Sequence, residues 1–337
     1  MSGRQVIGVD AGGTKLLAGV VDERMSVHHR VRRLWAGGGR DEVLETMAAA
    51  VEEARRATPE VEAVGFGIPS LVDCRDGSSL SSVHLPLEGV PFRELMSKRL
   101  GLPVSVENDA TAAAVAEHRH GAARGDRNVV LLTLGTGIGG GLVLDDRVYR
   151  GSVGAGAELG HMVVDVDGPE CFGHCPGRGC LEALVSGSAL ARDGAIAARE
   201  SPDSLLGLAL ADGRAITGAL VTEAAIAGDP AAGAVMHHAG RMLGAGITGL
   251  VNAFNPDVVI VGGGVMAAGE LLLGPAREVV TERALAPGRR HVRVVAAGLG
   301  DEAGMLGAAT LALELAGAAE GELSAGAGGR GRSEATT

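Results

Sequence analysis

VDAGGTKLLAGVVD, residues 9–22, sets an apolar run ending at Asp10 against a second apolar run leaving from Lys15, with two glycines and a threonine turning the chain between them. A tight turn needs only one or two permissive residues. This one also carries Asp10, Thr14 and Lys15, for which a plain hairpin has no use. Alone, the stretch reads equally as an ordinary hairpin or as a phosphate loop, and the rest of the chain decides.

The same design returns in VVLLTLGTGIGGGLVLDD (129–146), and VVIVGGG (258–264) again runs a short apolar strand into glycines. Successive backbone N–H groups around such a turn form a concave nest for phosphate oxygens. Glycine is needed where a Cβ would block the approach. Three turns, AGGT at 11–14, GTGIGGG at 135–141 and GGG at 262–264, each follow a strand and together point to nucleotide binding. None has the P-loop spacing or the dinucleotide fingerprint. Two halves opening on equivalent glycine hairpins imply a duplicated fold with a cleft between its parts.

Around these turns the pattern alternates. Strands are predicted at 5–10, 15–21, 63–69 and 103–109, and helices at 41–57, 91–100, 110–118, 230–252 and 301–316. In the first helix Val43, Leu44, Met47 and Val51 share one face. The turn-rich GAARGDRN (121–128) reads as a domain junction, and 317–337 lacks periodicity and is expected to be disordered. Such alternation is α/β architecture. At 337 residues two domains are expected, 1–120 completed by the helix 301–316, and 121–300.

Composition limits the functions available. Hydrophobic residues make up 46% but aromatics only 2%, so the core must be aliphatic. A net charge of −11 argues against nucleic-acid or anionic-membrane partners, so an anionic ligand must be held locally by backbone N–H groups and a metal. The basic run HHRVRR (28–33) reads as a solvated strand edge. No apolar stretch reads as a membrane span and no signal-peptide pattern opens the chain, so a cytoplasmic protein is expected.

Two further segments carry chemistry. In VENDATAAA (106–114), Asp109 stands at a strand end and a helix start, where the helix dipole favours an ionised carboxylate able to take a proton. The plainer reading makes Asn108 or Asp109 an N-cap. In residues 156–187, His161 with Cys171, Cys175 and Cys180 supplies a tetrahedral set for a closed, structural Zn²⁺, with His174 as a competing ligand. Glu158 and Glu182 flank that segment as ordinary surface glutamates or as a pair that hydrogen-bonds a polyol. Cys74 stands apart and reads as a small buried hydrophobe.

These motifs together resemble the ROK family of sugar kinases and sugar-responsive repressors, within the actin-like superfamily. DAGGTK (10–15) and LGTGIGGG (134–141) are similar to its two phosphate motifs, GIPSLVD (67–73) to its GxPGxVD loop with Ser70 in place of a glycine, and NDATAAA (108–114) to its catalytic segment. ELGH (158–161) with GCLE (179–182) resembles its sugar and zinc signature, and VIVGGGV (259–265) its adenosine-side loop. The metal segment departs from the usual C-x-C-G-x-x-G-C, for Cys171 sits two residues early when Cys180 is aligned.

The resemblance implies a two-domain actin-like (ribonuclease H-like) sugar kinase fold with a duplicated βαβ core. It also implies ATP-dependent phosphorylation of a hexose, glucose first, at its 6-hydroxyl. Asp109 would be the base, and Asn108, Glu158, His161 and Glu182 would contact sugar hydroxyls. Asp10 would hold Mg²⁺. Gly12, Gly13, Thr14, Lys15, Gly135, Thr136, Gly137, Gly139, Gly263 and Gly264 would bind ATP phosphates, with cleft closure excluding water. The partners implied are a small sugar and a nucleotide, in a homo-oligomer, dimer or tetramer. An N-acetylglucosamine or N-acetylmannosamine kinase is the nearest alternative, and polyphosphate an alternative donor. A non-catalytic sugar-sensing regulator is less favoured, because only nine residues precede Asp10 and Asp109 is present. Because the turns at 11–14 and 135–141 lie outside the metal segment, metal removal is expected to weaken sugar binding more than ATP binding.

Overall fold

The opening hairpin becomes strands β1 (Gln5–Ala11) and β2 (Lys15–Asp22), paired antiparallel from Gln5–Asp22 to Ala11–Leu16. The computed structural model describes residues 3–13, 15–35, 38–173 and 175–328, so Thr14 and His174 lie outside the described residues. β3 (Val27–Leu34), α1 (Arg40–Ala57), β4 (Val64–Ile68), β5 (Ser70–Val72), β6 (Ser79–Ser82), α2 (Phe92–Leu100), β7 (Val104–Asn108) and α3 (Asp109–His120) follow. The main sheet runs β3-β2-β1-β4-β7, with β1, β4 and β7 parallel. The basic run lies on its edge strand β3, where Arg30 and Arg32 are exposed and discourage pairing with another chain.

A second sheet repeats this plan. β8 (Val129–Leu134), β9 (Ile138–Leu144) and β10 (Arg147–Val148) precede helices α4 (Leu181–Val185), α5 (Gly187–Glu200), α6 (Leu205–Ala211), α7 (Gly218–Ile226) and α8 (Pro230–Phe254). β11 (Val258–Gly262), α9 (Glu270–Arg283), α10 (Gly288–His291), β12 (Arg293–Ala296) and α11 (Ala303–Gly328) complete the chain. Strand order is β10-β9-β8-β11-β12, with β8 antiparallel to β9 and parallel to β11, and β11 parallel to β12. The order and directions match the first sheet strand for strand, so the duplication seen in the hairpins extends through both sheets.

Residues up to Ala112 and from Gly304 onward form one unit, and Ala113–Ala303 the other. α11 belongs to the first because its backbone lies directly on the sheet. A Cβ on Gly8 would run into the Met305 carbonyl, and one on Gly65 into that of Ala308. The division falls inside α3, where the sequence places it at 120. Its first turn packs on α11 at Gly307, while Ala113 and Ala114 join a cluster with Val129, Leu131 and Val143. α11 also continues to Gly328, past the point where disorder is expected from 317. The alanines of AGAAEGELSA carry high intrinsic helix propensity, so a helix persists without an amphipathic period. Residues 329–337 lie outside the described residues.

Each unit has its own core. That of the first gathers Ile7, Val9, Leu16, Met47, Phe66 and Phe92, the two rings meeting edge-on at 5.2 Å. That of the second is aliphatic, built on Leu132, Leu134, Leu243, Ile247 and Val261. Cys74 is exposed, not buried, because it follows β5 into the turn 73–78, closed by backbone bonds of Asp73 to Gly77 and Ser78. Among the described residues no helix is long and apolar enough to cross a membrane.

Glu117 of α3 is fully buried and accepts three backbone N–H groups, from Ala122 at 2.8 Å, Gly298 at 3.1 Å and Leu299 at 2.8 Å. A glutamine there would turn an N–H₂ toward one of three donors. Glu117→Gln is expected to lower unfolding stability by about 3 kcal/mol, read as a fall in the denaturant midpoint. An unchanged midpoint would show that this carboxylate does not hold the two loops.

Candidate active site

In the first unit the candidate residues gather at the carboxyl ends of the three parallel strands. Asp10 of β1 pairs with Gly67 of β4, which pairs with Glu107 of β7, and Ile68 pairs with Asn108. Two strand spacings separate Asp10 from Asn108, about 10 Å. α11 begins against Asp10, for a Cβ on Gly304 would stand 2.7 Å from the Asp10 carboxyl carbon. Trp35 donates its indole N–H to the Gly12 carbonyl at 2.7 Å and so fixes the first glycine turn.

The two readings of Asn108 and Asp109 separate cleanly. Asn108 Oδ1 accepts the Thr111 N–H at 3.0 Å, which makes Asn108 the N-cap of α3. Its amide also donates to the Ser70 carbonyl at 3.4 Å. Asp109 is the first helical residue, and its Oδ1 accepts the Ala110 N–H at 2.8 Å. The positive end of the helix dipole is a favourable place for such a carboxylate. Nearby, the Arg75 side chain and backbone N–H grip Asp73, the last residue of GIPSLVD, and hold its carboxyl down at about 2. Sequence reasoning passed over this pair and Trp35, because neither recurs in a spacing pattern.

In the second unit His161, Cys171, Cys175 and Cys180 converge, with their ligand atoms all within 4.8 Å of one another. His161 Nδ1 lies 3.6 Å from Cys171 Sγ, and Cys175 Sγ lies 3.9 Å from Cys180 Sγ. A tetrahedral ion with zinc-type bond lengths requires about 3.6 Å for N···S and about 3.8 Å for S···S. The donor set therefore fits such a metal, and the early position of Cys171 does not keep it out. Burial pushes the Cys171 and Cys180 thiols up, and the neighbouring sulfurs add to the rise at Cys171. Three crowded thiolates become stable there when a divalent cation binds them.

Glu158 stands on the other side of His161, with Oε2 3.9 Å from Nε2. Although 47% of its side chain meets solvent, the surrounding protein raises its carboxyl above the usual range, His161 offsetting part and Glu182 adding to the rise.

Glu182 also holds a backbone turn. Its Oε2 accepts the Ile138 N–H at 2.7 Å, at the end of the 135–138 turn, and its Oε1 lies 3.8 Å from Cys171 Sγ. Gly187 and Ser188 bond the same turn at Gly135 and Thr136. The turn and the metal segment, separate in sequence, are thus one hydrogen-bonded assembly. The metal segment therefore reaches the turn through Glu182. Beside them, Gly263 follows β11 at φ +88°, packed on the backbone of Leu134, and a Cβ on Gly264 would meet nothing within 4 Å. Gly139 lies in β9 opposite Thr133.

The sequence model of the ROK family matches residues 6–315. The chain belongs to the ROK family. This ROK protein is 39% identical over 314 residues to a glucokinase of Streptomyces coelicolor, covering 91% of this chain and 97% of that one. The solved structure of a ROK family glucokinase from Streptomyces griseus, in complex with glucose and AMPPNP, matches with a TM-score of 0.81 and 40% identity, covering 92% of this chain and 99% of that one. A ROK family transcriptional regulator, a homologue of the E. coli MLC protein, matches with a TM-score of 0.82 and 29% identity, covering 91% of this chain and 77% of that one. The fold is the actin-like α/β fold of the ROK sugar kinases.

Proposed function

We propose that this ROK protein transfers the γ-phosphoryl group of ATP to the 6-hydroxyl of glucose. The observation that carries the reading is Asp109, a carboxylate at the start of α3 whose capping duty is taken by Asn108. A regulator that only senses sugar needs no such group, and the identity to glucokinases over most of both chains supports the same choice.

Phosphoryl transfer passes through a loose transition state, so the protein mainly positions groups and neutralises charge. Asp109 accepts the proton of the attacking hydroxyl. Asn108, Glu158, His161 and Glu182 hold other hydroxyls of the sugar, Glu182 while its Oε2 also accepts the Ile138 N–H. Asp10 holds Mg²⁺, which when bound offsets phosphate charge. Gly12, Gly13, Thr14, Lys15, Gly135, Thr136, Gly137, Gly139, Gly263 and Gly264 present backbone N–H groups and small surfaces to the phosphates and nucleotide. His161, Cys171, Cys175 and Cys180 hold a structural Zn²⁺ that fixes the loop carrying Glu158. Free thiols in this number suit the reducing cytoplasm.

The test of substrate class is a coupled assay with ATP over glucose, mannose, N-acetylglucosamine and N-acetylmannosamine. Glucose is expected to give the highest kcat/KM. Preference for an N-acetylated sugar would move the protein to the hexosamine kinases, and no turnover on any of the four would remove the kinase reading.

A further inference from the structure

The loop that leaves β6 brings a histidine to the first glycine turn. β6 pairs antiparallel with β5, Ser70 opposite Ser82, and Ser82 Oγ donates to the Pro69 carbonyl at 3.1 Å. The Ser70 carbonyl accepts an N–H of the Asn108 amide at 3.4 Å, so this ribbon is tied to the residue beside Asp109. Beyond the ribbon, Leu85 and Leu87 are buried in the core of the first unit, and the Leu87 N–H donates to the Leu85 carbonyl at 2.8 Å. His84 stands between these two anchors. Its ring lies against the turn, for a Cβ on Gly13 would stand 3.2 Å from His84 Cγ and 3.6 Å from Cδ2. Yet His84 is exposed, and among the described residues it makes no hydrogen bond or ion pair. An imidazole on a pinned loop, with both nitrogens uncommitted, has an N–H to give a ligand at the turn.

We propose that His84 is a catalytic residue whose ring N–H donates to an oxygen of the γ-phosphoryl group as that group passes from ATP to the sugar. The proposal rests on the phosphoryl-transfer reading of the site. In that step a bond forms between the sugar O6 and the γ-phosphorus, and the bond to the ADP oxygen breaks. The hydroxyl proton goes to Asp109, and His84 keeps its own. The phosphoryl group is anionic, and the first unit meets it with carboxylates, for Asp10 stands three residues before Gly13 and Asp109 opens α3. Cations are scarce beside them. Lys15 and Lys98 are the only lysines in the chain, and Lys98 lies on α2. Trp35 fixes the turn at Gly12, and His84 adds a side-chain donor at Gly13. A donor already held in place stabilises the charge spread over the phosphoryl oxygens without reorganising as the reaction proceeds.

The test is steady-state kinetics with ATP and glucose on the full-length protein, with glucose titration calorimetry and thermal unfolding for each variant. His84→Ala is expected to lower kcat by about 10- to 100-fold, the loss of one hydrogen bond to a charged group. Because that bond strengthens in the transition state, the KM for either substrate and the Kd for glucose should stay within about threefold. The residue is exposed, so the melting temperature should match the wild type. His84→Asn and His84→Gln place an amide N–H near the reach of Nδ1 and Nε2, and one of the two should recover kcat to within about threefold of the wild type. If the wild type is active and His84→Ala keeps kcat within about threefold of it, this proposal alone is overturned. A raised KM for glucose with kcat unchanged would overturn it in favour of a sugar contact. Equal loss in all three variants would overturn it in favour of simple packing on Gly13. Wild-type protein that transfers no phosphoryl group to any sugar tested would overturn the reading of the site, and this proposal with it.

Discussion

Asp109→Asn is expected to cut turnover by about 10²–10⁴-fold while leaving glucose affinity near that of the wild type. The substitution keeps size and shape, and its amide oxygen can still accept the Ala110 N–H that orients Asp109 Oδ1. The N-cap of α3 is untouched, because Asn108 supplies it to Thr111. What disappears is a group able to take a proton from the attacking hydroxyl. Thermal unfolding should therefore match the wild type, which separates a catalytic loss from a folding one. Retention of more than about a tenth of wild-type turnover would rule out the base, since general bases contribute far more.

The second large effect concerns the metal. Protein purified without a chelating tag should carry about one zinc per chain, the stoichiometry of one closed tetrahedral site. Cys180→Ser should lose it. Cys180 is 1% exposed at the start of α4, so losing its bond to the metal frees a buried helix start. Cys175→Ser and Cys171→Ser should release metal as well, given the 3.9 Å and 3.6 Å contacts of their sulfurs within the cluster. Because metal affinity at such sites is folding energy, all three variants should unfold at lower temperature than the wild type. Metal-free protein with full activity and an unchanged melting temperature would defeat the structural role.

Much of this was legible in the chain itself. The glycine turns stand at strand ends because an apolar run, a small-residue turn and a second apolar run fix a hairpin locally, as at β1–β2 and β8–β9. The Cys/His set was legible because three thiols within ten residues, with a histidine shortly before them, have the spacing of a metal site. Contacts between distant segments were not. Glu117 meets Leu299 across 182 positions and Glu182 meets Ile138 across 44, and neither leaves a periodic trace. Trp35 on Gly12 was hidden likewise, since a lone indole has no spacing to read. The helix beyond 316 was missed for another reason, because alanine-rich sequence supports a helix on propensity without the apolar stripe that sequence reading looks for.

The central claim is a position-specific transfer, and product analysis tests it most directly. Protein incubated with glucose, ATP and Mg²⁺ would be followed by ³¹P and ¹³C magnetic resonance until the nucleotide is consumed. The account predicts glucose 6-phosphate and ADP in equal amounts, with no free phosphate beyond the background. Phosphate on another carbon, or ATP hydrolysed to ADP and inorganic phosphate with glucose left unchanged, would contradict it.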